Sequence, residues 1–200
     1  MSGYGQTIGF TKVLRQGTPA LGLSGDRLER DRPSHCIVTN WGSSMIDIQI
    51  PGFKHVAVEY LVLDFNGTIA CDGVISEGTL QLLTGLARNV EIHILTADTH
   101  GNAASACQDL PCRLVVLSEG NQDVAKRDYV RKLGKDRAVC IGNGRNDRLM
   151  VGEAAVGIAI IGEEGASAET VQNADVVCRS ASEALSLLVS PRRLVATLRS

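Results

Sequence analysis

From Met45 onward the chain switches between two hydrophobic periods. Ile46, Ile48 and Ile50 alternate with Asp47 and Gln49, the two-residue repeat of a half-buried strand. Pro51-Gly52 is a turn signal and Val56, Val58 and Tyr60 alternate again, so residues 46–60 predict a β-hairpin. The hairpin leads into Leu61-Val62-Leu63-Asp64, an apolar run that stops on a carboxylate. Beyond it the pattern predicts a helix of about ten residues, capped by Ser76 and ending near Asn89. Strands are then expected over 91–95, 113–117, 137–141, 156–161 and 175–178. Helices are expected between them over 99–109, 123–133, 146–155 and 167–173, with two more helical pieces around 181–189 and 191–198. Strand alternating with helix predicts an α/β fold: a mostly parallel sheet, right-handed crossovers, and helices on both faces in a three-layer α/β/α, Rossmann-like arrangement.

Residues 1–44 differ. They are rich in Gly, Arg, Ser and Asp, carry Pro19 and Pro33, and sustain neither period. Such a segment cannot bury enough apolar surface to offset its ordering entropy, so a flexible extension over 1–44 and one core domain over 45–200 are expected. Met45 is expected to be the native start.

Composition narrows the function classes. With 200 residues, 44% apolar and 4% aromatic, the chain can fill one Ala/Val/Leu/Ile core. A formal net charge of −2 leaves no electrostatic footprint for nucleic acid. The longest apolar stretch, 154–162, is about half of a membrane span, and the N-terminus lacks a secretory pattern. A cytoplasmic protein without a membrane partner is expected. The cysteines at 36, 71, 107, 112, 140 and 178 show no zinc spacing and are expected to be reduced, with Cys140 and Cys178 buried.

Four segments carry candidate chemistry. Open parallel sheets bind ligands outside the carboxyl ends of their strands, which is where Asp64-Phe65-Asn66-Gly67-Thr68 would lie. A carboxylate that attacks a phosphoryl group needs a cation beside it, because two anions otherwise repel. Read alone, the pentapeptide also suits a plain turn after a strand. Ile92-His93-Ile94-Leu95-Thr96-Ala97 ends a second strand on a hydroxyl, and Asp98 reads as the cap of the next helix. Lys126 and Arg127 point about 100° apart on a helix, so only one can face the strand ends. In Val139-Cys140-Ile141-Gly142-Asn143-Gly144-Arg145-Asn146-Asp147, a strand breaks into Gly-Asn-Gly and reopens as a helix. Backbone can approach a ligand there, the helix start favours an anion, and Asp147 can serve a cation. The third glycine of a dinucleotide fingerprint is missing.

In order and spacing these segments resemble the motifs of the haloacid-dehalogenase (HAD) superfamily, whose first motif reads Asp-x-Asp-Gly-Thr. The last segment closely resembles the Gly-Asp-Gly-x-Asn-Asp hinge of P-type ATPases and related phosphatases. The match looks closest to small soluble proteins similar to the P-type ATPase phosphorylation domain, with Gly157-Ile158-Ala159 and Ala174-Asp175-Val176-Val177 adding to it. The resemblance implies a HAD core over 45–200 with a minimal cap, since only residues 69–75 separate the first motif from the Ser76 helix. It implies a Mg²⁺-dependent phosphohydrolase acting through an aspartyl-phosphate on Asp64. Asp64, Asn66, Thr96 and Lys126 would form the catalytic set. Asn66, Gly67, Thr96, Ala97 and Lys126 would surround the phosphoryl group, and Asp64, Asn66, Asn143 and Asp147 would hold the metal. The substrate would be a phosphorylated small molecule or a phosphoprotein, and an oligomer is compatible with such a core.

Two positions depart from the pattern. Asn66 replaces the acid that transfers a proton in HAD phosphatases, a step worth roughly 10²–10⁴ in rate. Asn143 replaces a metal-ligating Asp, which lowers the expected cation affinity. These departures support an alternative: a slow or non-catalytic phosphate-binding module, a phospho-switch read by a protein partner.

Overall fold

The computed structural model describes residues 45–97 and 101–200. The expected extension over 1–44, the cap at Asp98 and the expected start of the following helix lie outside the described residues.

In chain order the elements are β1 (Ile46–Ile50), β2 (Lys54–Val58), β3 (Tyr60–Asp64), β4 (Ala70–Cys71), β5 (Val74–Ile75), α1 (Glu77–Leu86), β6 (Glu91–Thr96), α2 (Asn102–Ala106) and β7 (Arg113–Val116). There follow α3 (Gln122–Leu133), β8 (Ala138–Gly142), α4 (Arg148–Glu153), β9 (Val156–Ile160), α5 (Ala168–Asn173), β10 (Val176–Cys178), α6 (Ala181–Val189) and α7 (Pro191–Leu198). Six strands form one sheet in the order β10-β9-β8-β3-β6-β7, with every neighbouring pair parallel. β1 and β2 form the expected antiparallel hairpin apart from that sheet.

The two faces of the sheet follow from the two-residue repeat of its strands. Leu61 and Leu63 of β3, with Ile92 and Ile94 of β6, pack against α1, α6, α7 and the β1–β2 hairpin. Val62, Leu95 and Cys140 point the other way, against Val130 of α3 and Met150 and Val151 of α4. β3 is therefore buried on both faces, as its unbroken apolar run requires. The outcome is the predicted three-layer α/β/α core with Asp64 at the carboxyl end of a central strand.

The structure departs from the sequence reading in three places. Between the first motif and α1, where no element is expected, β4 and β5 form a small antiparallel hairpin. Its turn is Asp72-Gly73, with φ of 51° and 77°; positive φ at both central residues matches the right-handed twist of the flanking strands. The helix expected over 99–109 ends at Ala106, with Cys107 at φ −99° and ψ 3° closing it and turns following. The helix expected over 146–155 begins as a tight 3₁₀ turn, Arg145–Asp147, before α4 proper. By contrast Ser76 caps α1 as expected, its hydroxyl accepting from Thr79 N at 3.3 Å.

Candidate active site

The carboxyl ends of β3, β6 and β8 are neighbours, so Asp64, Thr96 and the Gly142–Asp147 loop arrive at one edge of the sheet. Register places Asp64 opposite Leu95, one residue before the buried Thr96. Ala97 follows at the strand end, half-buried. From the opposite layer α3 sends in Lys126, whose ammonium donates to Asp64 Oδ1 at 2.5 Å and to Asp147 Oδ1 at 2.6 Å. Lys126 and Asp147 have no solvent exposure and Asp64 has 7%, so the three charges form a buried bridge. Arg127 turns away to Asp128, at 2.9 Å, which decides between the two adjacent cations.

Electrostatics follow from that burial. Desolvation works against the Lys126 ammonium, but the charges of Asp64 and Asp147 outweigh it and raise its pKa. For Asp147, burial and then the Asp64 charge push the carboxyl up to about 7, with Lys126 opposing.

Asp147 is also committed on its other oxygen. Oδ2 accepts from the backbone N–H of Asn143 at 3.0 Å and of Gly144 at 2.8 Å, which fixes the loop after β8. Gly142 is needed for this approach: a Cβ there would lie 2.5 Å from Asp147 Cβ. Sequence reasoning expects Asp147 on a metal; in the structure its two oxygens meet Lys126 and the N–H groups of its own loop. Asn146 Nδ2 donates to Gln122 Oε1 at 3.2 Å and Arg148 to Asp123 at 2.6 Å, so the same loop anchors the start of α3 and thereby Lys126.

Thr68 joins the site although sequence reasoning did not single it out. Its hydroxyl lies 3.1 Å from both Asp64 Oδ2 and Asn143 Oδ1. One hydroxyl hydrogen serves one acceptor at a time, so two hard oxygens converge on a single donor. The signal was present in the Thr that ends the first motif. Asn143 is held further by Nδ2 donating to Gly165 O at 3.2 Å. Gly67, at φ +73°, makes the turn that sets these groups face to face. Asn66 is exposed beside it, ahead of the short β4–β5 flap.

Among the described residues no three His, Cys, Asp or Glu side chains cluster to hold a metal. The oxygens available at the strand ends are those of Asp64 and the Asn143 amide. Among the described residues no disulfide is formed, and both Cys140 and Cys178 are buried as expected. No helix among the described residues is long and apolar enough to cross a membrane.

The fold has solved counterparts. The 3-deoxy-D-manno-octulosonate 8-phosphate phosphatase of Moraxella catarrhalis, crystallised with magnesium, phosphate and KDO, superposes with a TM-score of 0.57 at 16% identity, covering 71% of this chain and 94% of that one. The cobalt-bound phosphatase YrbI of Haemophilus influenzae gives 0.57 at 13% identity, over 72% and 94%. A candidate HAD family hydrolase of Streptomyces avermitilis gives 0.55 at 18%, over 74% and 89%. The fold is that of the HAD superfamily. No family model matches the chain. At the level of sequence, the chain belongs to the family of the uncharacterized protein MJ0073 of Methanocaldococcus jannaschii, being 38% identical over 84 residues, 40% of this chain and 90% of that protein. The uncharacterized protein MJ0072 of the same organism is 56% identical over 39 residues, 20% of this chain and 89% of its own length.

Proposed function

We propose that this chain is a cytoplasmic, Mg²⁺-dependent phosphohydrolase that acts through an aspartyl-phosphate on Asp64. The observation that carries the reading is the buried bridge Asp64–Lys126–Asp147 at the carboxyl ends of β3 and β8. An ammonium held there offsets the charge of both the nucleophile and an incoming phosphate. The likeness to phosphatases named for a small phosphate ester supports a phosphorylated small molecule as substrate. The short flap and exposed Asn66 also leave room for a phosphoprotein.

In the first step an Asp64 oxygen forms a bond to phosphorus while the substrate's ester O–P bond breaks. In the second, water attacks the same phosphorus, the Asp64 O–P bond breaks, and inorganic phosphate leaves. Thr96 and the main chain at Asn66, Gly67 and Ala97 surround the phosphoryl oxygens. Asp147 holds Lys126 in line. Asn66 cannot exchange a proton, so protons go to and from solvent. The convergence of Asp64 Oδ2 and Asn143 Oδ1 on Thr68 fits a hard cation, with the Asn66 main-chain carbonyl as a further oxygen donor. Bound there, Mg²⁺ would supply neutralisation of the phosphoryl charge.

Asn66 favours one second reading, in which hydrolysis of the aspartyl-phosphate is slow and a partner reads the phosphorylated state. The test is hydrolysis of p-nitrophenyl phosphate and acetyl phosphate with Mg²⁺ by wild type, Asp64→Asn and Asn66→Asp. Wild-type turnover that disappears in Asp64→Asn is the expected result. An inert wild type beside an active Asn66→Asp supports the switch, and turnover that survives in Asp64→Asn overturns both readings.

A further inference from the structure

The loop between β9 and α5, Gly162-Glu163-Glu164-Gly165-Ala166-Ser167, belongs to none of the four motifs, yet it closes over the first of them. It is clipped in place at three points. Gly165 N donates to Gly162 O at 3.0 Å, Asn143 Nδ2 to Gly165 O at 3.2 Å, and Ser167 N to Asn143 O at 2.8 Å. Two of the three clips are made by Asn143 itself, the position where the expected acid is missing.

The tight turn splits its two glutamates. Glu163 accepts from Cys71 Sγ of the flap at 3.4 Å. Glu164 reaches the motif-one turn. A Cβ built on Gly67 would lie 2.8 Å from Glu164 Oε2 and 2.4 Å from Asn143 Nδ2, so both side chains crowd the same face of Gly67. Among the described residues no Lys, Arg or His forms an ion pair with Glu164. A carboxylate with no ion-pair partner among the described residues thus lies beside the amide that stands where a carboxylate is expected.

We propose that Glu164 supplies the negative charge that retains the divalent cation in place of the acid absent at position 143. The inference rests on the phosphohydrolase reading for the cation, but it concerns only how this chain holds one. Charge, not ligand number, is what the Asp-to-Asn difference removes, since an amide oxygen still coordinates a hard cation. A carboxylate a few ångströms further out restores part of that attraction through space or through a bound water. Glu164 is then a positioning residue for the cation, and Glu163 fixes the flap.

The experiment is Mn²⁺ affinity of the full chain, read by electron paramagnetic resonance, for wild type, Glu164→Gln, Glu163→Gln and Glu164→Gln/Asn143→Asp. Glu164→Gln keeps shape and removes charge; as an exposed substitution it leaves the cation-free thermal midpoint unchanged. Expected is about tenfold weaker Mn²⁺ binding in Glu164→Gln, unchanged affinity in Glu163→Gln, and recovery in the double variant. Equal affinity of wild type and Glu164→Gln overturns the assignment and leaves the phosphohydrolase reading standing. An equal loss in Glu163→Gln also overturns it, because general loop acidity then explains the effect. Wild type that binds no Mn²⁺ overturns both. Cation affinity that depends on Glu164 in a chain whose turnover ignores Asp64 supports the inference and sinks the phosphohydrolase.

Discussion

Replacing Lys126 by Met tests whether the bridge at the strand ends holds the fold as well as the chemistry. Met keeps much of the aliphatic length and removes only the charge that sits 2.5 Å from Asp64 and 2.6 Å from Asp147. With Lys126 and Asp147 fully buried, water cannot take over the lost ammonium contacts. Breaking a buried pair by removing one partner typically costs about 3–5 kcal/mol, a large share of the roughly 5–15 kcal/mol that a domain has. For a chain of this length that is a fall in thermal midpoint of about 10 °C. The sign with pH follows from Asp147, whose carboxyl is already raised from 3.8 to about 7 by burial and the Asp64 charge and rises further without Lys126. A carboxyl raised in the folded state stabilises it while protonated and loses that contribution as pH climbs through the folded value. The deficit of Lys126→Met is therefore largest above pH 7 and narrows toward pH 4. The assay is urea unfolding with EDTA across that range, together with the double variant Lys126→Met/Asp147→Asn, which should recover part of the loss. A deficit below about 1 kcal/mol at pH 7.5, the size of a surface pair, refutes the reasoning. So does a double variant less stable than the single.

Three further outcomes are expected. His93 is buried against Tyr129, its Nδ1 2.8 Å from the phenol oxygen, and burial followed by the Arg113 charge lowers it from 6.5 to about 4. The unfolded chain then binds the extra proton, so stability rises with pH between about 4 and 6.5 by about 3 kcal/mol, and His93→Gln should flatten that part of a urea-unfolding profile. Asn66→Asp should raise turnover of p-nitrophenyl phosphate by roughly 10²–10⁴, and an unchanged rate argues against proton transfer as the missing step. Gly142→Ala puts a Cβ 2.5 Å from Asp147 Cβ and should lower stability by about 1–3 kcal/mol in chemical denaturation.

Much of this architecture could be read from the chain because one residue type decides each part. The run Leu61-Val62-Leu63 demands burial on both faces, and its arrest at Asp64 places a charge at the sheet edge. Ser76 sets the start of α1 because its hydroxyl satisfies a free N–H. The Asp72-Gly73 hairpin was missed, although a pair that accepts positive φ between two short apolar dipeptides is a turn signal. What local pattern could not give is the pairing of distant segments. Helix phase separates Lys126 from Arg127 without saying which one enters the core; the answer depends on Asp64, 62 residues away. Thr68 gains its place only by meeting Asn143 across 75 residues, and Glu164 only because the β9–α5 loop folds back over Gly67. Asp147 reads as a ligand from the loop pattern alone. That it also meets Lys126 and two N–H groups of its own loop is visible only once the loop is closed.

The two asparagines and the lysine bridge bear on one another. Acids at 66 and 143 would add two negative charges around Asp64 and Asp147, with only Lys126 to balance them at close range. Such a site depends on a cation to stay assembled. With amides at both positions the remaining pair of carboxylates shares one ammonium, and the Thr68 hydroxyl lies between Asp64 and Asn143. On the phosphohydrolase reading, the groups that would accept a phosphoryl group stay in place, while those that would speed its release are reduced: position 66 carries no exchangeable acid, and the charge missing at 143 would come from Glu164. Both changes slow the second half of the reaction more than the first. We infer an aspartyl-phosphate that persists, so acetyl phosphate should leave an acid-stable phosphoryl group on Asp64 of the wild type and very little on Asn66→Asp. Equal labelling of the two would mean that position 66 does not set the lifetime, and the reason for its asparagine would have to be sought in what the exposed side chain meets outside the chain.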